Sequence, residues 1–316
     1  MASANDEQRD SPRGIAGRPV VFGEVVFDEF DDDVHQPGGA PLNVAWHLHG
    51  FGLEPLLLSR VGRDELGGLL LERLTAAGLD TRGIQVDPSR ATGRVAVANV
   101  DDKSNDKSDD QPRFTIPGNQ AYDYIDKAEF PNLAQERLAF LYHGSLATRK
   151  AQSAAALRFL RDSGLSTFVD VNLRAPWWTR AAVEQLLRGA RWVKLNGTEL
   201  AELVNGPIRT QLQRAEAVRS QFDLELVVVT YGDQGSLAVT EELSITARPE
   251  RVPTFVDSVG AGDAFSAVLM LGIARGWPLQ LALHRATSFA AAICGIRGAL
   301  PEDDAIYQRF SRQWRD

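Results

Sequence analysis

The chain has 316 residues, 44% of them apolar and 24% charged, the ordinary balance of a globular protein with one or two α/β domains. Its 42 acidic against 34 basic residues leave a net charge of −8, which disfavours wrapping nucleic acid or docking on anionic membranes. No apolar run approaches the ~20 residues of a membrane span, residues 1–12 are polar rather than a secretion signal, and a single cysteine, Cys294, excludes an internal disulfide framework; a soluble, cytoplasmic protein is expected.

In chain order, residues 1–17 offer almost nothing to bury and read as a flexible tail. An apolar strand follows at 19–28, suited to burial on both faces. Asp31, Asp32 and Asp33 form an acidic exposed turn, and helical spacing sets in at 41–50, opened by Pro41. A strand at 55–61, a helix at 64–77 ending on Gly78, and two short strands at 95–100 and 113–116 come next. The Asp-, Lys- and Ser-rich stretch 101–110 between those two strands reads as a solvated hairpin tip. From residue 138 the rhythm is βαβα, with strands at 139–143, 167–171, 192–195 and 226–230. Helices are expected at 150–163, 180–188, 198–204, 209–222, 261–275, 278–296 and 303–314, and a hairpin at 237–246. Such alternation predicts an α/β fold with a mostly parallel sheet and helices on both faces. Short strands near 24–36 and 92–116 are available for a small accessory sheet.

The most informative stretch is Val256-Asp257-Ser258-Val259-Gly260-Ala261-Gly262-Asp263-Ala264-Phe265. Two glycines just before an apolar helix can present bare backbone N–H groups at a helix N-terminus, where an anion is favoured. Asp263 then either takes a proton from an alcohol beside that anion or simply caps the helix. There is no Gly-x-x-x-x-Gly-Lys-Ser/Thr loop, and Phe265 occupies the last position of a would-be dinucleotide fingerprint. A second stretch, Gly38-Gly39-Ala40-Pro41-Leu42-Asn43, is either a strand-to-helix turn or a close backbone approach to a ligand, with Asn43 able to bond hydroxyls. Polar residues also end several strands: Asp28, Asp170 to Arg174, Lys194 to Glu199, and Thr230 to Gly232. Each alone is an ordinary loop or cap, but together they can feed one crevice at the carboxyl edge of the sheet. The five histidines show no metal-ligand spacing, and Trp177 and Trp178 lack the basic interleaving of a nucleic-acid platform.

Taken in order, these segments resemble the ribokinase-like (PfkB) carbohydrate kinases. Gly38 to Ala45 is similar to their N-terminal signature, Asp257 to Phe265 to their C-terminal one, Asn196-Gly197-Thr198-Glu199 to their Asn-x-x-Glu element, and Thr230-Tyr231-Gly232 to their nucleotide-contacting turn. Cys294 to Ala299 resembles the late loop near the adenine and the monovalent cation.

The resemblance implies a Rossmann-like kinase domain over 18–316 with a small β-sheet lid, and ATP-dependent phosphorylation of a sugar hydroxyl. By match, Asp263 is the base, and the amides of Gly260, Ala261 and Gly262 form an anion hole. Asp28, Gly38, Gly39 and Asn43 hold sugar hydroxyls, with Arg174 a cationic partner for substrate or phosphate. Lys194, Asn196, Glu199, Thr230 and Gly232 serve the nucleotide. Glu199 meets Mg2+ through water, and Asp257 is the candidate for a monovalent cation such as K+. Gly-Gly-Ala-Pro-x-Asn with Asp170-x-Asn172-x-Arg174 and Trp177-Trp178 is closest to the fructokinase branch. Ribose, 2-keto-3-deoxygluconate or another sugar are alternatives within the framework, and a non-catalytic sugar sensor is an alternative outside it. Val259 and the Gly295-Ile296 pair depart from the commoner family residues. The resemblance also implies small-molecule partners only, with a homodimer through the lid.

Overall fold

The computed structural model describes residues 14–30, 35–98, 113–204, 210–249 and 254–314. The acidic turn at 31–33, the insertion at 101–110 and most of the expected tail lie outside the described residues.

The expected strand at 19–28 is two strands in different sheets. β1 (Arg18–Phe22) belongs to the large sheet and β2 (Val26–Phe30) to a small one. The break falls at Gly23 (φ 149°), where a Cβ would lie 2.5 Å from the Pro41 ring, so the chain can turn sharply only with glycine there. β3 (His35–Gly38) pairs antiparallel with β2, and α1 (Ala40–Gly50) follows after one residue, Gly39. β4 (Leu56–Gly62), α2 (Glu65–Ala76) and β5 (Ile84–Asp87) come next, α2 capped by the Asp64 side chain accepting from the Gly67 amide. β5 has only four alternating residues, too short a signal to stand out from the surrounding turns. β6 (Gly93–Ala98) and β7 (Arg113–Thr115) complete the small sheet in the order β3-β2-β6-β7.

The second half follows the expected rhythm: β8 (Leu138–His143), α3 (Ala151–Arg161), β9 (Thr167–Asp170), α4 (Arg180–Leu187), β10 (Trp192–Asn196), α5 (Gly197–Leu203), α6 (Gln211–Phe222), β11 (Leu226–Thr230), the hairpin β12 (Ser236–Val239) and β13 (Ser244–Ala247), then α7 (Ala261–Arg275), α8 (Leu279–Ile293) and α9 (Ala305–Gln313). The large sheet runs β13-β12-β11-β10-β9-β8-β1-β4-β5, parallel apart from the β12–β13 edge hairpin.

Alternate residues of each strand feed opposite cores, as a period of two requires. Val21, Leu57, Tyr142, Phe168 and Val228 pack with α1, α7, α8 and α9 on one face. Val20, Phe22, Leu58 and Leu141 meet α3, while Val169, Val193, Val227 and Val229 meet α4, α5 and α6 on the other. After β1 the chain builds outward through β4 and β5, then returns to place β8 on the opposite side of β1. That reversal leaves a crevice at the carboxyl edge of the strands, the usual ligand position in open α/β sheets. No helix among the described residues is long and apolar enough to cross a membrane.

Candidate active site

A cleft of about 830 Å3 opens at that edge. Its wall gathers Asp28, Gly39 and Asn43 from the small sheet and α1, Arg174, Lys194, Asn196, Thr230 and Gly232 from the large sheet's strand ends, and Gly260 through Asp263 from the start of α7. Gly38, Glu199 and Asp257, also singled out from the sequence, do not line it and stand behind the wall.

The turn into α7 explains its glycines. Gly260 is the N-cap residue at φ 75°, and a Cβ there would lie 2.2 Å from the Ala299 Cβ. Only glycine allows both the left-handed backbone and the contact. No side chain caps α7, and among its first N–H groups that of Ala261 donates to Ser258 O at 3.3 Å, a long bond. Asp263 does not cap its helix. Its Oδ2 instead accepts from Asn43 Nδ2 at 2.7 Å, joining the first turns of α1 and α7 across the cleft. Burial and the charge of Asp170 push the Asp263 carboxyl up to about 6, against the lowering effect of Asn43, Lys194 and Arg174.

Asp28 is the register partner of Gln36 on β3, and its side chain lies against Gly38 two residues along, where a Cβ would come within 2.1 Å of its Oδ2. The contribution of Gly38 is thus the space it leaves for the carboxyl. Burial, then the charge of Asp263, pushes Asp28 up to about 7.

Lys194 and Asp170 are register partners on adjacent parallel strands, both buried. Lys194 Nζ donates to both Asp170 oxygens at 3.1 Å, and Ser266 Oγ on α7 donates to Asp170 Oδ2 at 2.8 Å. Burial alone would lower the Lys194 ammonium, but the surrounding carboxylates, Asp170 first, raise it above its ordinary range. Nζ would lie 3.1 Å from a Cβ built on Gly262, so a permanent cation faces the amides at the α7 start. Sequence reasoning singled out Lys194 and counted Asp170 among the strand ends feeding the crevice, but joined neither to the other nor to Ser266, because the register and packing that join them are tertiary facts.

Asn196 and Glu199 form a reciprocal capping box: Asn196 Oδ1 accepts from the Glu199 amide at 2.9 Å and Glu199 Oε2 from the Asn196 amide at 2.7 Å. Glu199 Oε1 accepts from the Leu173 amide at 2.8 Å. One carboxylate oxygen therefore holds the segment after β9 that carries Asn172 and Arg174, and the other the end of β10 at Asn196. Asp257 is similar: Oδ1 accepts from Val259 N at 2.7 Å and Oδ2 from Gly298 N at 2.8 Å, tying the α7 turn to the loop after α8.

Beside the cleft lies a second, more apolar cavity of about 540 Å3, bounded by Phe255, Phe265, Thr287, Ala290 and Cys294 and sharing Thr230, Gly232 and Gly262 with the first. Cys294 is half-buried in that wall, and burial raises its thiol. His47 serves packing. His47 Nδ1 lies 2.9 Å from Tyr307 Oη, and burial lowers the His47 ring to about 3. Trp177 Nε1 donates to Ile116 O at 3.0 Å beside the small sheet. Among the described residues no three His, Cys, Asp or Glu side chains converge as a metal cage.

The sequence matches a family model described as pfkB family carbohydrate kinase over residues 18–304. Fructokinase-2 of Oryza sativa subsp. japonica is 30% identical over 311 residues, covering 89% of each chain. A fructokinase of Xylella fastidiosa solved with bound ATP superposes with a TM-score of 0.80 at 21% identity, covering 94% of this chain and 98% of that one. A fructokinase of Vibrio cholerae O395, solved with fructose, ADP and a calcium ion, gives a TM-score of 0.77 at 25% identity, covering 95% and 99%. With the order of its motifs, its mostly parallel sheet beside a small separate one, and a cleft that joins both ends of the chain, this protein belongs to the pfkB family of carbohydrate kinases, enzymes that act as phosphotransferases.

Proposed function

We propose that this protein transfers the γ-phosphoryl group of ATP to a hydroxyl of a sugar, with fructose the first candidate, and that it does so in the cytoplasm. The observation that carries the reading is Asp263: a buried carboxyl in the first turn of α7, bonded to Asn43 and raised to about 6, within reach of the same amides that favour an anion. A carboxylate of that acidity is ionised at neutral pH and still basic enough to take an alcohol proton as the transition state forms.

In this reading the sugar oxygen forms a bond to the γ-phosphorus while the bond to the β-phosphate oxygen breaks, and the hydroxyl proton passes to Asp263. The amides of Gly260, Ala261 and Gly262 hold the charge of the moving group, and Lys194, fixed by Asp170, faces it as a cation. Positioning and charge stabilisation of this kind account for most of phosphoryl-transfer catalysis. Asp28, Gly39 and Asn43 orient the sugar, with Gly38 giving Asp28 its place and Arg174 on the facing wall. Thr230 and Gly232 stand at the junction with the apolar cavity, which suits a nucleotide base.

The lack of an acidic cage among the described residues fits a magnesium ion carried on the triphosphate and its waters, with Asn196 and Glu199 in the surrounding shell. Mg2+ supplies charge neutralisation on the phosphates. Asp257 is the candidate carboxylate for a monovalent cation such as K+, which would share its oxygens with the Val259 and Gly298 amides. The small sheet closing over the sugar as a lid would exclude water that competes for the phosphoryl group, residues 18–316 would act as one kinase unit, and two lids would meet in a homodimer.

The test is ADP release with Mg·ATP against fructose, ribose, 2-keto-3-deoxygluconate and adenosine. Sugar-dependent release, highest with fructose, is expected. Release with no sugar of a broad panel would overturn the kinase reading in favour of a sensor.

A further inference from the structure

Glu24 occupies the short turn where the chain leaves β1 for β2. It is 4% exposed, yet it reaches the wall of the cleft beside Val26, Asp28 and Asn43. Its Oε2 has no hydrogen-bond partner among the described residues. A buried carboxyl oxygen left unpaired weakens a fold, so a role in ligand binding is the natural reason to keep one. The nearby cation Arg149 donates through Nε and Nη2 to Asp123 at 2.6 and 2.9 Å; its buried Nη1 has no hydrogen-bond partner among the described residues, so it acts on Glu24 through charge and not through a bond. Burial outweighs the charges of Arg174 and Arg149 and pushes Glu24 up to about 7. Near neutrality the group can therefore both donate and accept. Gly39 faces its Cγ with no side chain: a Cβ there would come within 3.4 Å.

We propose that Glu24 is a specificity residue of the sugar site, bonding a hydroxyl of a neutral sugar through Oε2 and disfavouring the carboxylate of a sugar acid. The assignment rests on the sugar-kinase reading above. Three carboxyls, Glu24, Asp28 and Asp263, are coupled through their charges in this part of the cleft, and a fourth from the substrate would add repulsion to desolvation. A sugar hydroxyl meets the unpaired oxygen without that penalty.

The experiment compares wild type, Glu24→Leu and Glu24→Gln with fructose and with 2-keto-3-deoxygluconate, by ADP release and by calorimetric sugar binding. Melting temperature and ATP binding serve as controls. Glu24→Leu is expected to melt higher than wild type and to bind ATP normally. Its KM for fructose should rise about 10- to 100-fold, the loss expected when a hydrogen bond to a charged or shared-proton group is removed. The sugar acid should gain relative to fructose in both variants, because each removes a negative charge. An unchanged preference between the two sugars in a folded Glu24→Leu protein overturns the assignment. Should that variant fail to fold, an unchanged preference in the near-isosteric Glu24→Gln does the same. Failure of the kinase reading shows elsewhere, as a wild type that neither binds nor phosphorylates any sugar.

Discussion

In the proposed reading, Asp263 carries the proton transfer of the cleft. Replacing it with Asn keeps the shape and the contact with Asn43 but removes the proton acceptor. Turnover should fall by at least ~10²-fold, the range for loss of a positioned base, with calorimetric sugar binding largely kept. A variant within a few-fold of wild type would remove Asp263 from that role. In the wild type, kcat should rise with pH as the carboxyl ionises near 6 and level off above it, because only the charged form accepts a proton. This residue was legible in the sequence, since a short Gly-x-Gly-Asp pattern ahead of an apolar helix leaves few uses for an acid. That it leaves its helix uncapped was not, because its oxygen is taken by Asn43, which lies 220 residues away in the chain.

Elements supply what single residues cannot. Strand register brings Lys194 opposite Asp170, and α7 adds Ser266 to the pair. Asp170→Asn should leave a buried ammonium without its counter-charge and cost ~3–5 kcal/mol of stability. Ser266→Ala should cost ~1 kcal/mol, the value of one hydrogen bond. Urea denaturation distinguishes the two, and equal small effects would show that the pair does not act as a unit. The alternation of strands and helices from residue 138 onward was readable because each element carries a clean period and a capping signal. The first strand misled, since an apolar run with a glycine in it looks the same whether the chain continues or changes sheet. The three short 3-10 turns between 121 and 135 left no period to read. Glu24 escaped notice for a related reason: its unpaired oxygen is visible only once its surroundings are folded.

At the scale of the whole molecule, Glu24, Asp28 and Asp263 all have carboxyls raised by burial first. The folded state thus binds protons more tightly than the unfolded chain at these groups. Their stabilising contribution is complete below the ordinary carboxyl range near pH 4 and is lost as pH rises through about 6 to 7. Asp80, held low by Arg82 in a surface ion network, acts in the opposite sense and only in acid. The melting temperature should therefore decline from pH 5 to pH 8, and Asp28→Asn should flatten that decline. An identical slope in the variant would contradict the burial argument. In the proposed reading, the Asp257 clamp would bear on nucleotide choice. One carboxylate fastens the phosphate-facing turn to the loop bordering the apolar cavity, so a purine that seats badly would tug the amides out of alignment. Discrimination among nucleoside triphosphates would then surface as slower turnover and not merely as weaker affinity.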